Sequence, residues 1–270
     1  MLNNKIPPPV ITKEHGSWAV LIVPMLVSAS IAGKWSTDFI LVALAALGSF
    51  LNYVPAQILL RHYSGVPQGV EKLRRAKFWG TAYLFATGGF VVPLLLKGYL
   101  LLLAVGLTGV MFFFCNFYVV KYYSKMIVSD LIAVAGLTLS GPSVYYVLTG
   151  TLNGTAISLY VLNFLFFGCS VFYVHLKIRA SGTRKPEIAW REKLSLGKVN
   201  LLYYAAVVGG VAVLAVAHIV TPLALVAFIP MVVHGVYGTL KLLTKVHFKK
   251  LGFLLLGQSI LFGILLSIVL

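Results

Sequence analysis

Acidic residues are scarce. Six Asp and Glu stand against 22 Lys and Arg, and charged residues of both signs make up 10% of the 270-residue chain. An average soluble domain carries about 25%. So few charges cannot cover a chain of this length with water-facing surface, which excludes a soluble globular protein. Cysteine is as sparse. Cys115 and Cys169 both lie in apolar runs, and their separation suits neither a metal knuckle nor a disulfide framework. Buried free thiols are the expectation. No basic soluble domain exists to carry nucleic-acid binding. The net charge of +16 therefore reads as loop charge that meets anionic membrane lipid and sets topology. The start of the chain also lacks the basic tip, apolar core and small-residue cleavage site of a secretory leader. It carries Pro7-Pro8-Pro9 instead, so the first span is expected to be retained.

What is present is hydrocarbon. Hydrophobic residues reach 60% and the mean hydropathy is +0.95. Nine apolar stretches follow one another at 17–33, 38–60, 78–96, 98–117, 127–148, 155–176, 199–220, 222–240 and 251–270. Each is near the ~20 residues a helix needs to cross a bilayer. Lipid satisfies no backbone polar groups, so the spans must be helices. The expected fold is all-α: a polytopic membrane bundle of about nine transmembrane helices. It forms one integral membrane domain over 1–270, with a polar, proline-rich lead at 1–12.

The loops alternate in charge. Every Lys and Arg except Lys34 and Lys97 falls on one side. That asymmetry predicts insertion in the cell membrane with the N-terminus inside and the C-terminus outside. Only the inner loops are long enough for chemistry.

Four clusters carry candidate chemistry, each with a structural alternative. Lys13-Glu14-His15-Gly16-Ser17-Trp18 is either a proton-handling or metal-binding pair at the inner boundary, or a helix start with an interfacial Trp anchor. At the inner end of span two, Tyr53, Gln57 and Arg61 share a helix face beside Asn52. They form a cavity wall, or else Arg61 snorkels and Asn52 joins helices. Asn116, Tyr118, Lys121 and Lys125 precede Asp130, the carboxylate that lies well inside a span and requires a partner. At the inner end of span six, Tyr173 and Lys177 are one turn apart, and so are His175 and Arg179. These four either line a site or form an ordinary basic flank. His218 and His234 have no metal-ligand spacing and read as core; His234 is placed to bond a neighbouring helix.

The run Lys13-Glu14-His15-Gly16-Ser17-Trp18, followed by an apolar stretch with Pro24, resembles the opening signature of the YwiC-like family of bacterial membrane proteins. That resemblance brings no established biochemical role. More distantly, the layout resembles the UbiA superfamily of intramembrane prenyltransferases. This implies nine helices, the N-terminus inside, and a cavity open to lipid and to an inner cap. Tyr118-x-x-Lys121 is similar to that superfamily's Tyr-x-x-x-Lys-Arg region. The Asn-Asp-x-x-Asp of those enzymes is replaced by Asn52-Tyr53-Val54-Pro55-Ala56, and their second acidic motif by Tyr173-Val174-His175-Leu176-Lys177. Magnesium prefers carboxylate and phosphate oxygens, so metal-dependent prenyl transfer is not expected.

The leading expectation is an uncharacterised, degenerate UbiA-like protein. It would bind an isoprenoid or another amphipathic ligand with an anionic head at an inner-side cavity, and whether it acts as an enzyme is left open. Its candidate ligand residues are Lys13, Glu14, His15, Asn52, Arg61, Tyr118, Lys121, Lys125, Asp130, Tyr173, His175, Lys177 and Arg179. No metal and no cofactor is expected. One alternative is a small-anion transporter or channel. The other is a haem-handling protein using His15, His62, His175 or His247.

Overall fold

Helix runs through almost the whole chain, as the apolar pattern requires. The computed structural model describes residues 7–12, 15–123, 126–183 and 188–270, and the described residues contain no strand. The helices are α1 (His15–Ala32), α2 (Thr37–Tyr63), α3 (Val70–Leu96), α4 (Leu101–Tyr122), α5 (Met126–Thr138), α6 (Ser140–Thr149), α7 (Gly154–Gly182), α8 (Trp190–Val216), α9 (Ala224–Leu240) and α10 (Phe248–Val269). Helices α5 and α6 make one membrane stretch, Met126–Thr149, so nine stretches stand where nine spans are expected. Seven are long and apolar enough to cross a membrane, while Gly16–Ala32 and Ala224–Leu240 are shorter.

Two boundaries differ from expectation in an informative way. Helix α3 begins at Val70 and α8 at Trp190, each well before its apolar run. The extra turns are rich in Lys, Arg and Glu, which favour helix, and Arg74 pairs with Glu71 one turn away at 3.1 Å. Much of the basic loops is therefore helix projecting beyond the apolar layer.

Helix α1 is apolar on every side and packs against α2, α5, α6, α7 and α10, leaving one stripe of Ile22, Leu26 and Ser30 exposed. It joins two cores. One, through α7 to α10, centres on Phe166, Phe228 and Phe262, with Phe166 and Phe262 stacked at 3.9 Å. The other holds Leu21, Phe50, Leu94 and Val144. Pro24 lacks the N–H that would close its turn of α1, which loosens the carbonyls before it. The Ser140 hydroxyl donates to the Leu21 carbonyl there, at 2.9 Å. Gly141 lets α6 lie directly on this turn of α1, since a Cβ at that position would sit 3.2 Å from the Pro24 side chain. Pro142, in the next position, leaves the Thr138 carbonyl without its helical donor, and the span breaks at Leu139.

At the end opposite the basic loops, Lys97 forms an ion pair with Asp38, and the Tyr99 hydroxyl donates to the same carboxylate at 3.3 Å. Burial, and then the adjoining Asp38 carboxylate, raise the Tyr99 phenol above its ordinary pKa. This cluster fastens the α3–α4 turn to the start of α2. Helix α4 is the most lipid-facing span, with Asn116 its buried residue.

Candidate functional site

Helix α7 presents two polar faces near the basic end. Residues 173 and 177 are one turn apart, as are 175 and 179, and a two-residue offset sets the pairs on roughly opposite sides.

The first pair turns to α9. Lys177 donates to the Gly238 carbonyl at 2.9 Å and sits 5.0 Å from the Tyr173 ring centroid. Gly238 lies in the last turn of α9, where exposed carbonyls and the helix dipole favour a cation. Lys177 thus acts as a cap for α9. The Tyr173 hydroxyl lies 3.4 Å from His234 Nε2, the helix-to-helix bond expected of that histidine. Gln258 of α10 donates to the Pro230 carbonyl of α9 at 3.3 Å.

The second pair turns to α5 and α8. His175 is 8% exposed, and its Nε2 lies 2.8 Å from Asp130 Oδ2. Asp130 is half-exposed and has in His175 the hydrogen-bond partner an intramembrane carboxylate calls for. A narrow crevice runs beside this pair, lined by Ile127, His175, Leu176, Arg179, Leu196 and Asn200 among others. Arg179 is exposed, whereas Asn200 is buried and donates to Thr239 Oγ1 at 3.0 Å. An imidazole held by a carboxylate, a guanidinium and an amide therefore share one small opening. The crevice has room for about 10 Å³, little more than one water, so an anionic group would meet these donors at its mouth.

A separate polar chain links α2, α4 and α5. Gln57 donates to the Tyr53 hydroxyl at 2.8 Å, and Tyr53 donates to Asn116 Oδ1 at 3.1 Å. Asn116 then donates to the Ser129 carbonyl at 2.6 Å and to its hydroxyl at 3.2 Å. Tyr53 and Gln57, read from spacing as part of a cavity wall, take part here in an interhelical bridge.

Of the candidate ligand residues, Asp130, His175 and Arg179 come together. Asn52 faces Gly80 of α3. Arg61 is exposed in the last turn of α2. Tyr118 packs against Tyr122 and Tyr123, and Lys121 lies 5.1 Å from the Tyr122 ring centroid. Tyr173 and Lys177 belong to the α9 face. Lys13, Glu14 and Lys125 lie outside the described residues, as does the side chain of His15, whose backbone begins α1. Two participants escaped sequence reasoning. Asn200 and Ser129 are single small polar residues in apolar helices, and only the helix-period position of Asn200, one turn before Tyr204, marks it as inward-facing. Among the described residues no group of three or more His, Cys, Asp or Glu is placed to hold a metal ion.

The description "YwiC-like protein" matches residues 11–145, from the lead through most of α6. No curated protein and no solved structure matches the chain. Asp130 and the Tyr53–Asn116 bridge fall inside the matched half, while His175 and Arg179 lie beyond it. With half of its length so matched, this multi-pass helical membrane protein belongs to the YwiC-like family.

Proposed function

We propose that this membrane protein binds an amphipathic ligand whose anionic head docks at the basic end of the bundle, in the crevice between α5, α7 and α8. The observation that supports this reading is the shared opening of His175 and Arg179, with Asp130 holding the imidazole from behind. Arg179 supplies a fixed positive charge and a planar fork of donors suited to a carboxylate or phosphate. His175 supplies a second donor. The apolar remainder of the ligand would lie along the lipid-facing surface beside Val199, which is exposed at the rim of the same crevice. The distant likeness to UbiA proteins is part of this proposal in layout only. Neither inner-end segment carries the acidic motif that would hold a metal-bound diphosphate.

The test is native mass spectrometry of the full chain purified in mild detergent, followed by lipid extraction. A retained single- or double-chain anionic amphipath is expected, lost in Arg179→Ala and in His175→Ala but kept in Arg61→Ala. Retention that depends on Arg61 and ignores Arg179 would move the site to the end of α2. Absence of any retained amphipath would end this reading.

A further inference from the structure

The proline-rich lead is not idle. Pro7, Pro8 and Pro9 have no N–H groups, so this run closes no helical turn and donates to no ladder, and its carbonyls are left to find donors elsewhere. All three find them on α3. The Trp79 indole Nε1–H donates to the Pro7 carbonyl at 2.8 Å. Arg75 Nε donates to the Pro8 carbonyl at 3.0 Å, and Arg75 Nη2 to the Pro9 carbonyl at 3.2 Å. Residues 75 and 79 are one turn apart where the projecting turns of α3 meet its apolar run, so they present one face. Tyr83 backs the Trp79 ring from the next turn, with centroids 5.4 Å apart. An indole and a guanidinium aimed at successive proline carbonyls is the chemistry by which proteins read extended polyproline segments.

We propose that the basic end of α3 is a built-in polyproline receptor and that its occupant, this chain's own lead, forms a releasable strap. The described lead, residues 7–12, lies on α3 through Pro7, Pro8 and Pro9, and α1 begins at His15. The strap therefore ties α3, which packs mainly on α2 at the rim, to the central helix of the bundle. Both Arg75 bonds are exposed to solvent, and Pro8 and Pro9 are themselves exposed. Only the Trp79–Pro7 bond is part-buried, and none of the three bonds lies within a span's own helical ladder, so the strap opens without unfolding any span. In the open state α3 keeps its α2 packing alone, and Arg75 turns to whatever acceptor the membrane surface offers. This inference is independent of the ligand site between α5, α7 and α8.

The experiment follows the four tryptophan indole protons of the full chain in lipid nanodiscs by nitrogen-15 NMR, with Trp79 assigned through Trp79→Phe. Replacing Pro7, Pro8 and Pro9 together by Gly keeps the carbonyls but removes the preorganised extended backbone. Solvent exchange at the Trp79 indole is expected to rise about tenfold, the loss of one hydrogen bond, with Trp18, Trp35 and Trp190 unchanged. Arg75→Gln, which touches only the receptor side, is expected to act in the same direction. An unchanged Trp79 in both variants overturns the strap, and so does a change spread evenly over all four indoles.

Discussion

His175 Nε2 lies 2.8 Å from Asp130 Oδ2, a contact that joins α7 to α5 across 45 residues of sequence. One partner is nearly buried and the other half-exposed. The pair is thus anchored in the bundle and open at its edge, which is the arrangement a binding group needs if it is to be both positioned and reachable.

The pair should be measurable as a coupling. His175→Ala and Asp130→Ala are each expected to lower stability in detergent. The double variant should fall short of their sum by about 1 kcal/mol, the usual worth of an interhelical polar contact in a membrane protein. Full additivity in unfolding experiments would show that the two groups merely lie near one another.

Glycine positions test the packing of α7, α8 and α9. A Cβ at Gly238 would lie 2.0 Å from the Tyr173 hydroxyl oxygen, and one at Gly235 would lie 2.1 Å from that of Tyr204. Neither tyrosine can retreat easily, because Tyr173 is 2% exposed and Tyr204 2% exposed. Gly238→Ala and Gly235→Ala should each cost about 1–3 kcal/mol by overpacking. Gly209→Ala, which meets open space, should be neutral or stabilising by up to about 1 kcal/mol through helix propensity. Equal thermal shifts at the three sites would contradict this packing.

The nine membrane stretches were legible from the apolar runs because a bilayer permits only helices there, and Asp130 was legible as a residue needing a partner. The pairing of His175 with Arg179 and of Tyr173 with Lys177 also followed from spacing. Which face looks at which neighbour did not. Lipid and protein interior are equally apolar, so the period of the sequence does not tell α7's α5 side from its α9 side. Lys177 was therefore grouped with His175, although it caps α9. The basic turns at 70–77 read as loop from the apolar pattern alone, whereas outside the apolar layer Lys, Arg and Glu extend the helix.

The bridge from α2 to α5 gives a third test. Tyr53→Phe removes the donor to Asn116 Oδ1 and the acceptor of Gln57 while leaving the ring against Phe113, whose centroid is 5.6 Å away. A loss of about 0.5–1.5 kcal/mol is expected. Hydrogen exchange should rise at the start of α5 near Ser129, because Asn116 loses the bond that orients its amide. No change near Ser129 would mean that Asn116 is held by α5 alone.

Orientation in the membrane is the last prediction, and it rests on charge rather than on shape. The sequence pattern assigns every Lys and Arg except Lys34 and Lys97 to the loops of one side. The structure sharpens that asymmetry, because Lys97 is paired with Asp38 and the opposite end is left almost neutral. Basic residues flanking short loops resist translocation, so the basic end is expected to stay in the cytoplasm. Nine membrane stretches then put Leu270 on the far side. Alkaline phosphatase fused after Leu270 should be active and a green fluorescent protein fused there dark, with the reverse for both reporters placed in the loop after Leu240. The consequence reaches the candidate site. Arg179 and His175 lie toward the basic end of α7, so this topology opens their crevice to the cytoplasm and its anionic ligands. A C-terminal reporter active only in the cytoplasm would invert the bundle, and the crevice would then face ligands outside the cell.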